Sequence, residues 1–307
     1  MWVSADRDPL VVVVTGPTAS GKTALALDIA SALGCDIISA DSRQIYRELP
    51  VGTAAPTAAE QARARHHLVG CKSVTEGYSA AAFETDALRI LGDMFSAGEH
   101  VAVVCGGSMM YVDALVRGID DMPSISDAVR DRVLSFYHEQ GLEALLAWLE
   151  TIDPAMHAVV DRRNPKRVIH AVEICLQAGV PASSLRTGQP KPRPFRVLKL
   201  CIDMPREQLF ARINARTEAM MVAGFLDEAR RMLPYRHCNA LNTVGYKELF
   251  AYFDGTMELP VAVARIAKNT RVYAKKQLTW LARDPNVVRL DATDAYAQAM
   301  TLINDMI

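Results

Sequence analysis

The chain is poor in features that would narrow its class quickly. Its six cysteines, at 35, 71, 105, 175, 201 and 238, are scattered over 307 residues and no two are spaced C-x-x-C. Spacing therefore offers neither a zinc site nor a disulfide framework. The thiols read as small apolar fillers in a reducing compartment, which points to the cytoplasm. No apolar run approaches the roughly 20 residues of a membrane helix, and residues 1–6 lack the basic and apolar regions of a signal peptide. There is no internal repeat and no low-complexity tract. What is present is the profile of a soluble globular protein, 50% hydrophobic and 22% charged, long enough to bury a large core in one or two domains. The net charge of −1 conceals a polarity. Residues 161–283 hold 22 Lys and Arg against 10 Asp and Glu, and the remainder 12 against 25. Such a split suits a polyanionic partner larger than a nucleotide, although solvated surface charge can drift to the same count.

The most informative segment is Gly16-Pro17-Thr18-Ala19-Ser20-Gly21-Lys22-Thr23, which fits G-x-x-x-x-G-K-[ST] at every fixed position. Residues 11–14 before it are a valine run that reads as a buried parallel strand. Residues 24–33 after it form a helix pattern with Leu25, Ile29 and Leu33 on one stripe and Gly34 as the stop. In that context the loop's N–H groups, the helix N-terminus and the Lys22 ammonium make a cradle for a diphosphate or triphosphate. Thr23 can hold a Mg²⁺ bridging the same oxygens. ATP is the usual ligand of such loops, but the pattern alone does not say what is done with the phosphates.

Residues 10–120 alternate strands and helices. Residues 35–40 form a short strand ending at Asp41, residues 60–67 and 79–95 have helical composition, and residues 101–105 form another buried strand closed by Gly106-Gly107. This predicts an α/β fold, a P-loop NTPase-like parallel sheet with its ligand at the carboxyl ends of the strands. Residues 122–182 read as helices only, with breaks at Gly141, Asp153-Pro154 and Asn164-Pro165. In the last of these helices Val168, Val172 and Cys175 mark the buried stripe, and Lys166, His170, Glu173 and Gln177 the opposite face. Residues 183–196, with three prolines and four basic residues, read as a stiff linker, and residues 197–202 as a strand returning to the sheet. The helical block is thus inserted into the α/β core. Two long helical patterns follow, at 206–233 and 258–283. In the second, Ile266, Tyr273 and Trp280 share one face, and Arg265, Lys268, Arg271, Lys275 and Lys276 crowd the other. Such a face can grip a nucleic-acid backbone or simply be solvated.

A switch ATPase needs an acid ending its second core strand, whereas residues 101–105 run into Gly106-Gly107-Ser108. Asp41 is the available carboxylate, suited to taking a proton from an attacking amine or hydroxyl, though a turn residue at a strand end has the same character. Ser42, Arg43 and Gln44 beside it suit the edge of a purine. Three functions remain open on these residues: a kinase of nucleotides or small molecules, an isopentenyltransferase of free adenine nucleotides, and a nucleotide-switched RNA-binding protein.

The loop at 16–23, the runs Asp41-Ser42-Arg43-Gln44-Ile45-Tyr46 and Gly106-Gly107-Ser108-Met109-Met110-Tyr111, and residues 164–173, together with Gly224-Phe225-Leu226-Asp227-Glu228, Val244-Gly245-Tyr246-Lys247-Glu248 and Ala274-Lys275-Lys276-Gln277-Leu278-Thr279-Trp280, resemble the tRNA dimethylallyltransferase family, bacterial type, in the family's order over nearly the whole chain. The resemblance implies transfer of a dimethylallyl group from dimethylallyl diphosphate to N6 of the adenine 3′ to the anticodon, by a monomer with Mg²⁺ and a tRNA anticodon stem-loop as partner. It implies a core of residues 1–121 and 196–307 and an inserted tRNA-binding domain at 122–195. It assigns Gly16, Pro17, Thr18, Ala19, Ser20, Gly21, Lys22 and Thr23 to the diphosphate, Asp41 to the general base, Ser42, Arg43 and Gln44 to the flipped base, and Arg216 to a diphosphate clamp. Ser108 stands where the family usually has threonine, near the reacting groups. Arg130, Lys166, Arg167, Val168, Ile169 and His170 match tRNA-contacting positions, with His170 replacing the usual arginine. Arg271, Lys275 and Lys276 complete the expected tRNA surface.

Overall fold

The computed structural model describes residues 8–307. These fall into two compact units, one formed by the chain up to Val116 together with Pro192–Ile307, the other by Arg117–Lys191. The boundaries lie a few residues before those expected from the sequence.

The first unit is built on six parallel strands, β1 (Leu10–Thr15), β2 (Ile37–Ser39), β3 (His66–His67), β4 (Val101–Gly106), β5 (Arg196–Asp203) and β6 (Val287–Asp291), in the order β3-β2-β4-β1-β5-β6. The valine run becomes the central strand because it can be covered on both sides. Leu10, Val12 and Val14 pack beneath α1 (Lys22–Leu33) and α13 (Ala295–Asn304), while Val11 and Val13 pack against α3 (Ala80–Ser96) and α4 (Met109–Arg117). All five side chains are fully buried, each contributing on the order of 1.5–3 kcal/mol. Pairing sets Thr15 beside Gly106 and Ser39 beside Cys105, so the loops after β1, β2 and β4 leave the sheet at one edge.

A third apolar cluster joins residues 45–49 to α10 (Phe225–Arg231), α11 (Tyr246–Phe253) and α12 (Leu259–Leu281), through Tyr46, Phe225, Tyr246, Leu249 and Ile266. The sequence pattern at 206–233 is not one helix. It divides into α9 (Arg206–Val222) and α10 at Gly224, whose φ of 94° is a left-handed value that ends the first helix. The helix expected over 60–67 is α2 (Ala58–Arg63), and His66 and His67 instead add the short edge strand β3. Here tertiary pairing overrides helical composition.

The second unit contains α5 (Asp127–Ile152), α6 (Pro154–Val159), α7 (Pro165–Ala178) and α8 (Ala182–Leu185). Gly141 interrupts α5 at φ 81°. The unit has its own core, including Val133, Leu145, Leu149, Val168 and Val172. Asp153 caps α6 through Met156 N–H at 3.0 Å and also accepts from Ser183 N–H at 2.7 Å. The start of the expected linker is therefore helical and tied down. Among the described residues no helix is long and apolar enough to cross a membrane.

At the strand-end edge, a Cβ on Gly106 would lie 2.1 Å from the Ala40 carbonyl oxygen, a backbone atom. Gly106→Ala is expected to cost at least about 2 kcal/mol in denaturant unfolding. A loss below about 0.5 kcal/mol, the range of ordinary surface changes, would contradict this packing.

Candidate active site

The loops after β1, β2 and β4 meet α9 and α12 around a cavity of about 560 Å³. Thr18, Lys22 and Thr23 line it from the glycine loop, Asp41, Ser42, Arg43 and Gln44 from the β2 loop, Arg216 from α9, and Tyr273, Lys276 and Gln277 from α12. Gly16, Pro17, Ala19, Ser20 and Gly21 shape the loop behind these without lining the cavity. Its turn is closed by the Ser20 N–H donating to the Pro17 carbonyl at 3.3 Å. The loop holds left-handed backbone at Gly21 and, at φ 67°, at Ala19.

Asp41 caps its own loop. Its Oδ1 accepts from the Arg43 N–H at 2.9 Å and the Gln44 N–H at 3.4 Å, an Asx turn that fixes the carboxylate relative to the strand end. Two cations share its surroundings. Burial lowers the pKa of Lys22, with Cys105, Asp41 and Cys201 opposing the shift and Arg216 adding to it. Burial likewise lowers that of Arg216, with Asp41 opposing. Arg216 remains charged, forms no salt bridge among the described residues, and donates to the Thr53 carbonyl at 3.4 Å. It is thus a cavity residue and not a surface ion pair. The neighbouring thiol of Cys105 is pushed up to about 11 by burial, which keeps it protonated and unsuited to nucleophilic work.

Two expected site residues play other parts. Ser108 is buried and does not line the cavity. Its hydroxyl accepts from Ser42 N–H at 2.8 Å and donates to Ser42 Oγ at 3.1 Å, so it locks the β2 loop to the end of β4. The Gln44 amide is engaged with the 53–54 turn, donating to the Thr53 and Ala54 carbonyls at 3.3 and 3.0 Å. That same turn is held by the buried Glu228, which accepts from Val51 N–H (2.8 Å), Gly52 N–H (2.7 Å) and the Tyr246 hydroxyl (2.6 Å).

Of the basic residues on α12, Lys276 lines the cavity. Arg271 and Lys275 lie over the Phe210 ring, 6.0 and 5.7 Å from its centroid. Tyr273, placed by its spacing on one face with Ile266, lines the cavity together with it, and burial together with Asp41 pushes its phenol up to about 12. Sequence reasoning missed Tyr273 and Gln277 as cavity residues. It also missed Arg212, whose guanidinium packs against the loop at Gly21. The only signal for Arg212 was its spacing one helical turn before Arg216.

In the helical unit, Val168 is fully buried, so the contact expected of it is not available, while Lys166, Arg167 and His170 are exposed. Glu173, expected on the solvent face, is buried and collects two of the tRNA candidates. Arg130 Nε lies 3.7 Å from its Oε1 and His170 Nδ1 3.2 Å from its Oε2. That pairing explains why a carboxylate is tolerated there.

Mg²⁺ is a hard cation that keeps waters and substrate oxygens and needs few protein ligands. The Thr23 hydroxyl beside Lys22 and the Asp41 carboxylate fit such an ion. Among the described residues no cluster of three or more His, Cys, Asp or Glu forms an all-protein cage.

Known proteins resemble this chain over most of its length. The family model "IPP transferase" matches residues 44–284. A Bacteroides thetaiotaomicron protein named tRNA dimethylallyltransferase 1 is 51% identical over 91% of this chain and 90% of its own length. One from Parabacteroides distasonis, tRNA dimethylallyltransferase 2, is 50% identical over 90% and 92%. Among solved structures, the full-length tRNA isopentenylpyrophosphate transferase of Bacillus halodurans is 31% identical, with a TM-score of 0.69 over 98% of this chain and 95% of that one. A eukaryotic dimethylallyltransferase described as acting on tRNA is 25% identical, with a TM-score of 0.84 over 97% and 79%.

Lys22 yields a test of the cradle. Because its pKa is lowered, the free protein loses this charge at a lower pH than an ordinary lysine would. Affinity for inorganic diphosphate is expected to fall on the alkaline side below that ordinary value, and Lys22→Arg to move the fall to higher pH. An identical profile in Lys22→Arg would contradict the assignment.

Proposed function

The chain belongs to the IPP transferase family, and from that premise we propose that it moves a dimethylallyl group from dimethylallyl diphosphate to the N6 amine of the adenine 3′ to the anticodon in tRNA. The observation that carries this reading is one cavity holding a carboxylate, Asp41, together with two desolvated cations, Lys22 and Arg216.

The substrate's diphosphate rests on the glycine loop, with Lys22 and Arg216 on its oxygens. The adenine leaves the anticodon loop to reach the strand-end cavity, since a stacked base cannot enter it. Its N6 attacks the allylic carbon, the carbon–oxygen bond to the diphosphate breaks, and the amine proton passes to Asp41. The positive charges act on the departing diphosphate, where negative charge develops in the transition state. A Mg²⁺ held by Thr23 supplies further neutralisation of that charge when bound. Ser42 and Arg43 hold the base edge, while Ser108 and Gln44 fix the loop that presents them. The helical unit offers Arg130, Lys166, Arg167 and His170 to tRNA phosphates, and the unit built on the sheet offers Lys276, with Arg271 and Lys275 over Phe210. The enzyme works as a monomer in the cytoplasm.

A kinase shares the loop and the acid after β2 but does not account for the basic face of α12, and a nucleotide-switched RNA-binding protein is disfavoured by β4, which runs into Gly107-Ser108 without an acid. Transfer to free nucleotides leaves the basic α12 surface without a use. The test is incubation with Mg²⁺, radiolabelled dimethylallyl diphosphate, ATP, and either unmodified tRNA or AMP. Label is expected in tRNA, on the adenosine following the anticodon. Label only in AMP, or phosphate transfer from ATP without prenylation, would overturn the reading.

A further inference from the structure

The basic helix α12 touches the glycine loop through a side chain that carries no charge. Gln277 is 2% exposed, although it lies between the exposed Lys276 and the half-buried Leu278. Its Oε1 accepts from the Thr18 N–H at 2.9 Å and its Nε2 donates to the Gly107 carbonyl at 2.8 Å. One amide thus satisfies a donor of the loop after β1 and an acceptor of the loop after β4. The fit is close on both sides. A Cβ on Gly107 would stand 2.4 Å from Gln277 Nε2 and 3.0 Å from the Gly16 carbonyl oxygen.

The residue that follows Thr18 explains why such a clamp is needed. Ala19 has φ 67°, a conformation that an alanine holds only when its surroundings over-determine it. The Ser20-to-Pro17 hydrogen bond at 3.3 Å closes the turn on one side, and Gln277 grips Thr18 on the other. The clamp also narrows the use of the loop's donors, since the Thr18 and Ser20 N–H groups are engaged by protein and the loop's other N–H groups are those left for an anion.

We propose that Gln277 is a positioning residue that holds the Pro17–Ala19 turn in its anion-binding shape, so that the segment expected to contact tRNA contributes, at this one residue, to the diphosphate site. This rests on the reading of the loop as a diphosphate cradle. It predicts a split that neither a general loss of stability nor a tRNA contact would produce.

The experiment measures affinity for inorganic diphosphate and for unmodified tRNA, with thermal melting as a check, in the wild type, Gln277→Met, Gln277→Glu and Lys275→Ala. Gln277→Met removes both hydrogen bonds at similar length, and Gln277→Glu keeps the acceptor for Thr18 while losing the donor to Gly107. Both are expected to weaken diphosphate binding by about tenfold or more, the scale of a lost buried hydrogen bond, and to leave tRNA affinity within about twofold. Lys275→Ala should do the reverse. Unchanged diphosphate affinity in a folded Gln277→Glu, or equal losses for both ligands, would overturn the proposal while leaving the cradle itself intact. Absence of diphosphate binding by the wild type would overturn the cradle and the clamp together.

Discussion

A single backbone approach sets the geometry on which the site depends. The Ala40 carbonyl occupies the space a side chain at position 106 would fill. The same oxygen accepts from the Ser108 N–H at 3.2 Å, and the Ala40 N–H donates to the Cys105 carbonyl at 2.8 Å. The ends of β2 and β4 are thereby fused, and β1 is held beside β4 by its ladder. Asp41, Ser108 and the glycine loop follow these ends directly in sequence. Three segments far apart in the chain meet at one edge because no side chain separates their backbones.

The charges gathered there have different fates. Glu228 and Glu248 are buried, but each is committed to scaffold donors. Glu228 takes two backbone N–H groups and the Tyr246 hydroxyl, and Glu248 takes the Gly245 N–H at 2.7 Å and the Asn269 amide at 2.6 Å. Asp41 takes its two backbone hydrogen bonds through a single oxygen, Oδ1. Facing it are two cations whose desolvation makes an anionic ligand more welcome than water would. A carboxylate with one oxygen that takes no hydrogen bond among the described residues and a cradle of positive charge together describe a place where a proton is accepted while an anion departs.

Much of this was legible in the chain. The valine run, the glycine loop and Gly106-Gly107 declare a parallel sheet with a phosphate site, because burial on both faces and close backbone approach demand those residue types. The break at Gly141 and the proline after Asn164 were equally plain. The residues that escaped did so for identifiable reasons. Gln277 sits among lysines and reads as surface, yet α12 turns it into the space between two loops. Glu173 escapes because a helical face assigned from pattern alone does not show which neighbours cover it, whereas Val168 is buried as its stripe with Val172 and Cys175 indicates, and only the resemblance set it against tRNA. Ser108, which the resemblance sets near the reacting groups, bonds through its hydroxyl to the cavity residue Ser42, a contact that spacing does not reveal. Pattern reveals which elements form, but not the side-chain contacts made between distant segments.

The most direct test of the account is single-turnover transfer by Asp41→Asn. This change keeps shape and removes the proton acceptor. The account predicts a rate at least about 100-fold below wild type, with affinities for tRNA and for inorganic diphosphate preserved. A near-normal rate would contradict Asp41 as the base and with it the mechanism proposed for this cavity.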